Sequence, residues 1–214
     1  LTMSLINKLK FIKKKLEGDD VYTFYFTRPK GLKHRAGQHG ICILPGLYLP
    51  HPFTLSSSPD EKYVTITTHV NTGSRYKQKL MTMSRGDSIL LFGPLFNFTF
   101  IEGVTEYVFL AQGIGITPFR SMLMYAHTKS LHVTTTLIHV DSKPHSFQKL
   151  TEQYATNASY PTNPEEFRAA VGSQKSSQHF YLSGSPRFVT STKKLLLQQG
   201  VKPRSIHTDS FLGY

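Results

Sequence analysis

One stretch near the middle of the chain combines a strand, a glycine turn and a helix start. Residues 107–111 form an apolar run that predicts a buried strand, and Gly113 and Gly115 follow it. Thr117 is a natural helix cap, and the helix predicted over 118–128 opens on a proline, which suits a first turn. Glycines allow close backbone approach, and free N–H groups at a helix start attract phosphate. We interpret the turn as the holder of a nicotinamide dinucleotide pyrophosphate. An ordinary strand-to-helix turn is the alternative, because the full G-x-G-x-x-G spacing is absent.

Size and residue usage limit the class of protein. The 214 residues, 39% of them hydrophobic, suit one large or two small globular domains. No segment approaches the roughly 20 apolar residues of a membrane span, and residues 1–17 lack the apolar core of a secretory signal. Cys42 is the single cysteine, which excludes an internal disulfide and an iron–sulfur cluster held by this chain's cysteines. We therefore expect a cytoplasmic protein, and the ten histidines show no metal-binding spacing, so no metal site is predicted.

The net charge of +12 bears on the partners of the chain. Nucleic acid, an anionic membrane surface, and acidic partners or anionic cofactors are competing interpretations, and a solvated basic surface is the alternative without function. The lysines are scattered apart from 13–15, and no nucleic-acid motif accompanies them, so we predict no nucleic acid partner.

The first hundred residues are predicted to form short strands separated by turns. The predicted strands are 21–26, 39–44, 63–70 and 88–92. Strands of this length with regular turns favour a small antiparallel barrel or sandwich.

Two stretches in this half carry groups suited to a cofactor. Residues 51–59 combine a histidine, an aromatic ring and several hydroxyls, which suit a flavin and a phosphate, or else form a serine-rich turn. Residues 74–80 are predicted to begin a short helix that Ser74 caps, with basic side chains suited to a diphosphate. A solvated basic helix is the alternative for the second stretch.

From about residue 105 strands and helices alternate. The predicted strands are 107–111, 132–140, 179–183 and 205–208, and the predicted helices are 118–128, 147–155, 164–171 and 186–199. This alternation predicts a doubly wound parallel sheet, with ligands beyond the carboxyl ends of its strands.

Seven segments occur in an order that resembles the ferredoxin–NADP reductase family. They are 36–39 (AGQH), 51–57 (HPFTLSS), 74–80 (SRYKQKL), 93–98 (GPLFNF), 112–118 (QGIGITP), 181–186 (YLSGSP) and 206–214 (IHTDSFLGY). The H-P-F-T form of the second segment resembles the dehydrogenase domains of NADPH oxidases and ferric reductases. The resemblance covers nearly the whole chain.

The resemblance implies an antiparallel β-barrel FAD domain over 1–102 and a doubly wound NAD(P) domain over 103–214. It implies catalytic roles for Thr54, Thr117 and Phe211. The implied FAD contacts are His51, Pro52, Phe53, Thr54, His69, Val70, Ser74, Tyr76, Lys77, Thr117, Phe211 and Tyr214. The implied NAD(P) contacts are Gly113, Gly115, Ile116, Asp141, Ser142, Lys143, Ser183 and Gly184.

Several positions depart from the family's pattern. His51 replaces the usual arginine, which makes neutralisation of the FAD phosphate weaker and dependent on pH. Phe53 lacks the hydroxyl of the usual tyrosine, and Gln112 replaces the first glycine of the turn. Ser183 replaces a cysteine that positions the nicotinamide in the family, and Phe96 replaces a glycine at the flavin edge.

The residues after the second parallel strand give conflicting signals about the nucleotide. Ser142 and Lys143 suit the 2′-phosphate of NADPH, whereas Asp141 suits the free 2′-hydroxyl of NADH. The positive charge of the chain favours NADPH.

The resemblance implies that NAD(P)H gives a hydride to FAD, which then releases electrons singly. Thr54 would lie at the flavin edge, Thr117 at the nicotinamide side, and Phe211 or Tyr214 over the other ring face. The basic charge favours an acidic acceptor such as ferredoxin or flavodoxin. A ferric, quinone or other small-acceptor reductase and a non-catalytic partner subunit are the alternatives. We expect a monomer.

Overall fold

The structure, a computed structural model, describes residues 5–47, 50–142 and 144–211. The predicted site residues Lys143 and Tyr214 lie outside these ranges. The described ranges contain two sheets, five α-helices and two short 3₁₀ helices.

The first sheet has six antiparallel strands. They are β1 (Ile6–Gly18), β2 (Val21–Thr27), β3 (His39–Ile43), β4 (His51–Thr54), β5 (Tyr63–His69) and β6 (Ser88–Leu95), in the spatial order β4-β3-β6-β1-β2-β5. Just beyond β4, the Ser56 backbone N–H donates to the Thr65 carbonyl of β5 at 2.8 Å, so the outer strands meet. The predicted antiparallel barrel is confirmed.

The longest strand, β1, is absent from the predicted strands. Leu9 and Phe11 are buried, whereas Lys8 and Lys10 between and beside them are exposed. This period of two is typical of a strand with one covered face. The lysine-rich composition of the segment obscured a periodicity that the sequence does contain.

The second sheet has five parallel strands. They are β7 (Glu106–Gln112), β8 (Thr134–Val140), β9 (Asn157–Ser159), β10 (His179–Gly184) and β11 (Ile206–Ser210), in the spatial order β11-β10-β7-β8-β9. The first strand is central and later strands extend outward on both sides, which is the doubly wound order. The sequence analysis missed β9, because its three residues lie in a polar stretch without period.

Five α-helices flank the two sheets, the first on the antiparallel sheet and the other four on the parallel sheet. They are α1 (Arg75–Met81), α2 (Thr117–Thr128), α3 (Gln148–Tyr154), α4 (Pro164–Gly172) and α5 (Pro186–Gln198). No helix in the described part of the chain has the length and apolar character needed to cross a membrane.

Strand β7 packs against helices on both faces of the second sheet. Phe109 and Ala111 pack in the cluster that contains Phe119 of α2. Val108 and Leu110, which alternate with them, pack in the cluster that holds α4 and α5 residues. The continuous apolar run of the sequence is therefore a strand buried on both faces.

Of the two predicted helix caps, the one at Thr117 is wrong, and the one at Ser74 has the predicted position without a side-chain bond. The turn Gly113–Ile116 is a 3₁₀ helix that runs directly into α2, so Ile116 occupies the cap position. Thr117 is the first residue of α2, and its Oγ1 donates to the Ile114 carbonyl at 3.0 Å. Ser74 stands at the cap position of α1, but its side chain makes no capping bond.

Helix α2 joins the two sheets. Arg120 Nη1 donates to the Ser56 carbonyl at 2.9 Å, Nη2 donates to Glu61 Oε1 at 2.7 Å, and Nη1 also contacts Glu61 Oε2. Ser121 Oγ donates to the Ser57 carbonyl at 2.8 Å. The serine-rich turn after β4 is fully buried and serves as the docking surface for α2.

Candidate functional site

Strand β4 carries the H-P-F-T residues, and its first end meets helix α1. The His51 ring stacks on Tyr76 with centroids 4.2 Å apart and planes 19° apart. Phe53, on the same side of the strand, lies 5.7 Å from Tyr76. Pro52 is exposed and points to the other side. The structure thus brings together two segments that the sequence separates by more than twenty residues.

The second end of β4 is linked to β11 through His39. Thr54 Oγ1 lies 3.0 Å from Nε2 of His39, and the same nitrogen lies 3.0 Å from Asp209 Oδ2. The His39 ring lies 5.9 Å from the Phe211 ring. Thr54, predicted to lie at the edge of a flavin, and Phe211, predicted to cover one face of it, therefore share one histidine neighbour.

This arrangement fits FAD. A four-residue strand spans roughly 10 Å, with a phosphate-suited histidine at one end and the Thr54 hydroxyl at the other. The Tyr76 hydroxyl is buried and has no hydrogen-bond partner among the described residues, so it is available to a ligand. Burial raises the pKa of Tyr76, which keeps that hydroxyl protonated and able to donate.

Three other predicted FAD contacts lie around Asp20. His69 Nδ1 donates to Asp20 Oδ1 at 2.9 Å, and the Val70 backbone N–H donates to the Asp20 carbonyl at 2.9 Å. Lys77 is buried, and this burial lowers the pKa of its ammonium while the charge of Asp20 raises it. The structure brings these residues together around one acidic residue, Asp20, that the sequence analysis did not select.

A cleft of about 900 Å³ lies at the carboxyl edge of the parallel sheet. Four predicted nucleotide contacts line it, namely Gly113, Asp141, Ser142 and Gly184. The sequence analysis missed Asn163, Phe167 and Arg168, which line the opposite wall from α4 and the turn before it. The helix predicted over 164–171 could have indicated these residues, because its N-terminus follows β9 of the parallel sheet.

The glycine turn is held against the neighbouring strand. A Cβ on Gly115 would lie 2.2 Å from the Ser183 carbonyl oxygen, so a side chain has no room there. Gly113 adopts φ +53°, a left-handed conformation that glycine takes at little cost. Gly115, Ile116 and Ser183 are buried beneath the cleft wall. The packing of these three residues beneath the cleft determines the shape of the glycine turn.

His139 fixes the same turn from the other side. Its Nε2 donates to the Gly113 carbonyl at 3.0 Å, and its Nδ1 is buried with no partner among the described residues. Burial, and then the neighbouring His145, lower the pKa of His139 to about 3. The ring is therefore neutral, and its Nε2–H group binds the Gly113 carbonyl and so helps to fix the glycine turn.

Gln112 has a defined role in place of the family's first glycine. Its Oε1 accepts from Ser185 Oγ at 2.6 Å and from the Ser185 N–H at 3.3 Å. Ser185 in turn caps α5, since its Oγ accepts from the Phe188 N–H. The substitution therefore links the glycine turn to the helix on the far side of the cleft.

A protein family described as an FAD-binding domain matches residues 6–161 of the chain. The chain belongs to this family. The matched span includes β4, α1, the glycine turn and Asp141. The prediction of an FAD protein is confirmed at the level of the family.

Flavohemoprotein from Bacillus subtilis (strain 168) is 27% identical over 93% of the chain and 57% of its own length. Dual oxidase 1 from Rattus norvegicus is 30% identical over 54% of the chain and 8% of its own length. The chain thus spans little more than half of the first relative and a small part of the second. A ferredoxin NADP+ reductase from Neisseria gonorrhoeae, solved with bound FAD and NADP, superposes with a TM-score of 0.81 at 19% identity, covering 99% of this chain and all of that one. The predicted ferredoxin–NADP reductase fold is confirmed.

Proposed function

We propose that the chain is an FAD-dependent NAD(P)H oxidoreductase that passes electrons to a one-electron acceptor. When bound, FAD supplies the ring that accepts a hydride and then gives up electrons singly. The observation that carries the proposal is the position of β4, which contacts α1 at His51 and, at Thr54, contacts His39, the residue that also contacts Asp209 of β11. The nucleotide cleft opens beside Phe211, which lines it.

Each group of residues then has a binding task. His51, Pro52, Phe53 and Tyr76 bind the flavin nucleotide along β4, and the Thr54 hydroxyl meets the ring. The diphosphate of FAD lies against His69, Val70, Ser74 and Lys77. The residues that line the cleft hold the nicotinamide nucleotide. Thr117 stands under the nicotinamide, and Phe211 covers the ring until the nicotinamide displaces it. The domain boundary at 102/103, the monomeric state and the cytoplasmic location stay predictions.

We propose NADPH as the preferred nucleotide. Arg168 and Asp141 both line the cleft, and they carry opposite charges. A 2′-phosphate bound between them gains from the guanidinium and loses from the carboxylate. We expect Arg168→Gln to lower kcat/KM for NADPH about tenfold with little effect on NADH, and Asp141→Asn to raise kcat/KM for NADPH by a similar factor. Equal effects on both nucleotides would refute this assignment.

The charge of the chain supports an acidic electron carrier such as ferredoxin or flavodoxin. The net charge is +12, and opposite charges speed the encounter of two proteins. A haem group is the second candidate acceptor, favoured by the similarity to a protein named flavohemoprotein. Reduction of a carrier protein that falls steeply with salt supports the first candidate, and salt-insensitive turnover counts against it.

An absorption spectrum tests the central proposal. The purified protein is loaded with FAD and titrated with NADPH and with NADH under nitrogen. Bleaching of the visible flavin band establishes hydride transfer, and the faster nucleotide identifies the preferred one. A protein that takes up no FAD, or that keeps an oxidised spectrum with both nucleotides, refutes the enzyme and leaves a non-catalytic partner subunit.

A further inference from the structure

His39 lies between the two halves of the candidate site. It is the first residue of β3, and 5% of its surface is exposed. One nitrogen, Nε2, lies 3.0 Å from Thr54 Oγ1 and 3.0 Å from Asp209 Oδ2. The ring also packs edge-on against Phe96, at 5.8 Å and 89°. One imidazole therefore contacts the flavin strand, the terminal strand and an aromatic side chain of the barrel rim.

The neighbours of His39 determine where its proton lies. Asp209 Oδ2 lies 3.0 Å from Nε2, and an ionised carboxylate has no proton to offer there, so the proton beside it lies on Nε2. The other nitrogen, Nδ1, is buried without a hydrogen-bond partner in the described ranges. The geometry therefore places a proton on Nε2, the nitrogen that faces both Thr54 and Asp209.

This tautomer constrains the Thr54 hydroxyl. A protonated Nε2 offers no lone pair, so the Thr54 oxygen can accept from it but cannot donate to it. Within the described ranges Thr54 Oγ1 makes no other hydrogen bond. The hydroxyl proton is therefore left for an acceptor that binds later.

We propose that His39 is a positioning residue for the reaction, which holds the Thr54 hydroxyl as a hydrogen-bond donor to the bound flavin ring. Asp209 fixes the proton on Nε2, and the Ser183 hydroxyl, 3.5 Å from the same carboxylate oxygen, lies at the limit of a hydrogen bond to it. The inference rests on the proposed function, since it concerns the same site. Without His39 the hydroxyl would rotate freely among its staggered positions.

The first test reads the tautomer directly and needs no activity. Protein as purified is labelled with ¹⁵N-histidine, and long-range ¹H–¹⁵N spectra distinguish a protonated Nε2 from a protonated Nδ1. The imidazole signal that disappears in the His39→Gln variant is assigned to His39. We expect His39 to carry a proton on Nε2, with a proton shift that moves in Asp209→Asn. A proton on Nδ1 alone, or a signal unchanged in Asp209→Asn, overturns the proposal.

The second test asks whether His39 acts through Thr54. His39→Leu removes the donor at similar volume, His39→Gln places an amide N–H near the position of Nε2, and Thr54→Val removes the hydroxyl. The readouts are the rate of flavin bleaching at saturating nucleotide, the nucleotide Kd, and the visible spectrum of bound FAD. We expect His39→Leu and Thr54→Val each to slow bleaching about tenfold at unchanged Kd, and His39→Gln to recover most of the loss.

The double variant decides between positioning and simple packing. If His39 acts through Thr54, adding His39→Leu to Thr54→Val has no further effect, so the loss stays near tenfold rather than one hundredfold. Independent losses, or a His39→Gln variant as slow as His39→Leu, overturn the proposal. Wild-type protein that binds FAD but is not bleached refutes the proposed function instead. In that case His39→Leu and Thr54→Val must still shift the FAD spectrum alike, and unlike shifts overturn the role of His39.

Discussion

Gly115 offers a sharp test of how the glycine turn is built. An added Cβ would lie 2.2 Å from the Ser183 carbonyl oxygen, 2.6 Å from its carbon and 2.9 Å from the Gly184 nitrogen. All three are backbone atoms of β10, so no side chain can rotate away, and ordinary contact begins near 3.4 Å. The turn and the end of β10 must separate by about 1 Å in Gly115→Ala. Overpacking of this kind costs about 2–3 kcal/mol.

The assay is thermal unfolding of the FAD-loaded protein together with nucleotide binding. A cost of that size lowers Tm by roughly 4–12 °C in a chain of this length. The nicotinamide nucleotide Kd should rise as well, because Gly184 lines the cleft and moves with β10. Gly31→Ala is the matched control, since nothing lies within 4 Å of its added Cβ. If Gly115→Ala unfolds within about 1 °C of that control, the close approach described above does not exist in the protein.

Three further perturbations follow from the same contacts. Burial lowers the pKa of His139 from 6.5 to about 3. Below pH 6.5 the His139 ring therefore binds a proton in the unfolded chain but not in the folded one, so the folded state loses stability as the pH falls from 6.5 towards 3. His139→Gln should flatten this loss by about 1 kcal/mol per pH unit in urea titrations, and an identical pH profile would refute the buried neutral ring. Arg120→Met should cost about 2 kcal/mol in the same assay, because Glu61 loses the largely buried guanidinium that pairs with it. Lys129→Met, which breaks a more exposed pair with Asp60, should stay close to the wild type. Phe211→Ala should raise the fluorescence of bound FAD, and unchanged fluorescence would mean that Phe211 does not cover the ring.

Local pattern predicted most of the elements of this chain. The apolar run before Gly113 gave a strand buried on both faces, and alternation of strands and helices after it gave the doubly wound order. The glycine spacing located the turn, although the cap was misplaced, because a 3₁₀ helix was not distinguishable from a loop in the sequence. Strand β1 could have been found, since Leu9 and Phe11 alternate with exposed lysines.

The site itself was only half predictable. The motifs predicted His51, Thr54 and Phe211 as site residues, because each lies in a segment whose residue order resembles that of the family. Family order also explains why Asp141 was selected at the end of a parallel strand. The pattern gave no reason to select Asp20, whose carboxylate receives the His69 side chain, or Arg168 in the polar stretch.

By itself, the sequence determined two sheets, their order along the chain, and the turn that faces the cleft. These follow from hydrophobic period and from glycine and proline, which act over a few residues. Tertiary structure alone decided that His39 meets Thr54 and Asp209, that His139 holds the Gly113 carbonyl, and that Arg120 ties α2 to the barrel. Such contacts join residues far apart in the chain, and no local period encodes them. They exist because packing the two sheets brings those polar groups out of water, where each must find a partner.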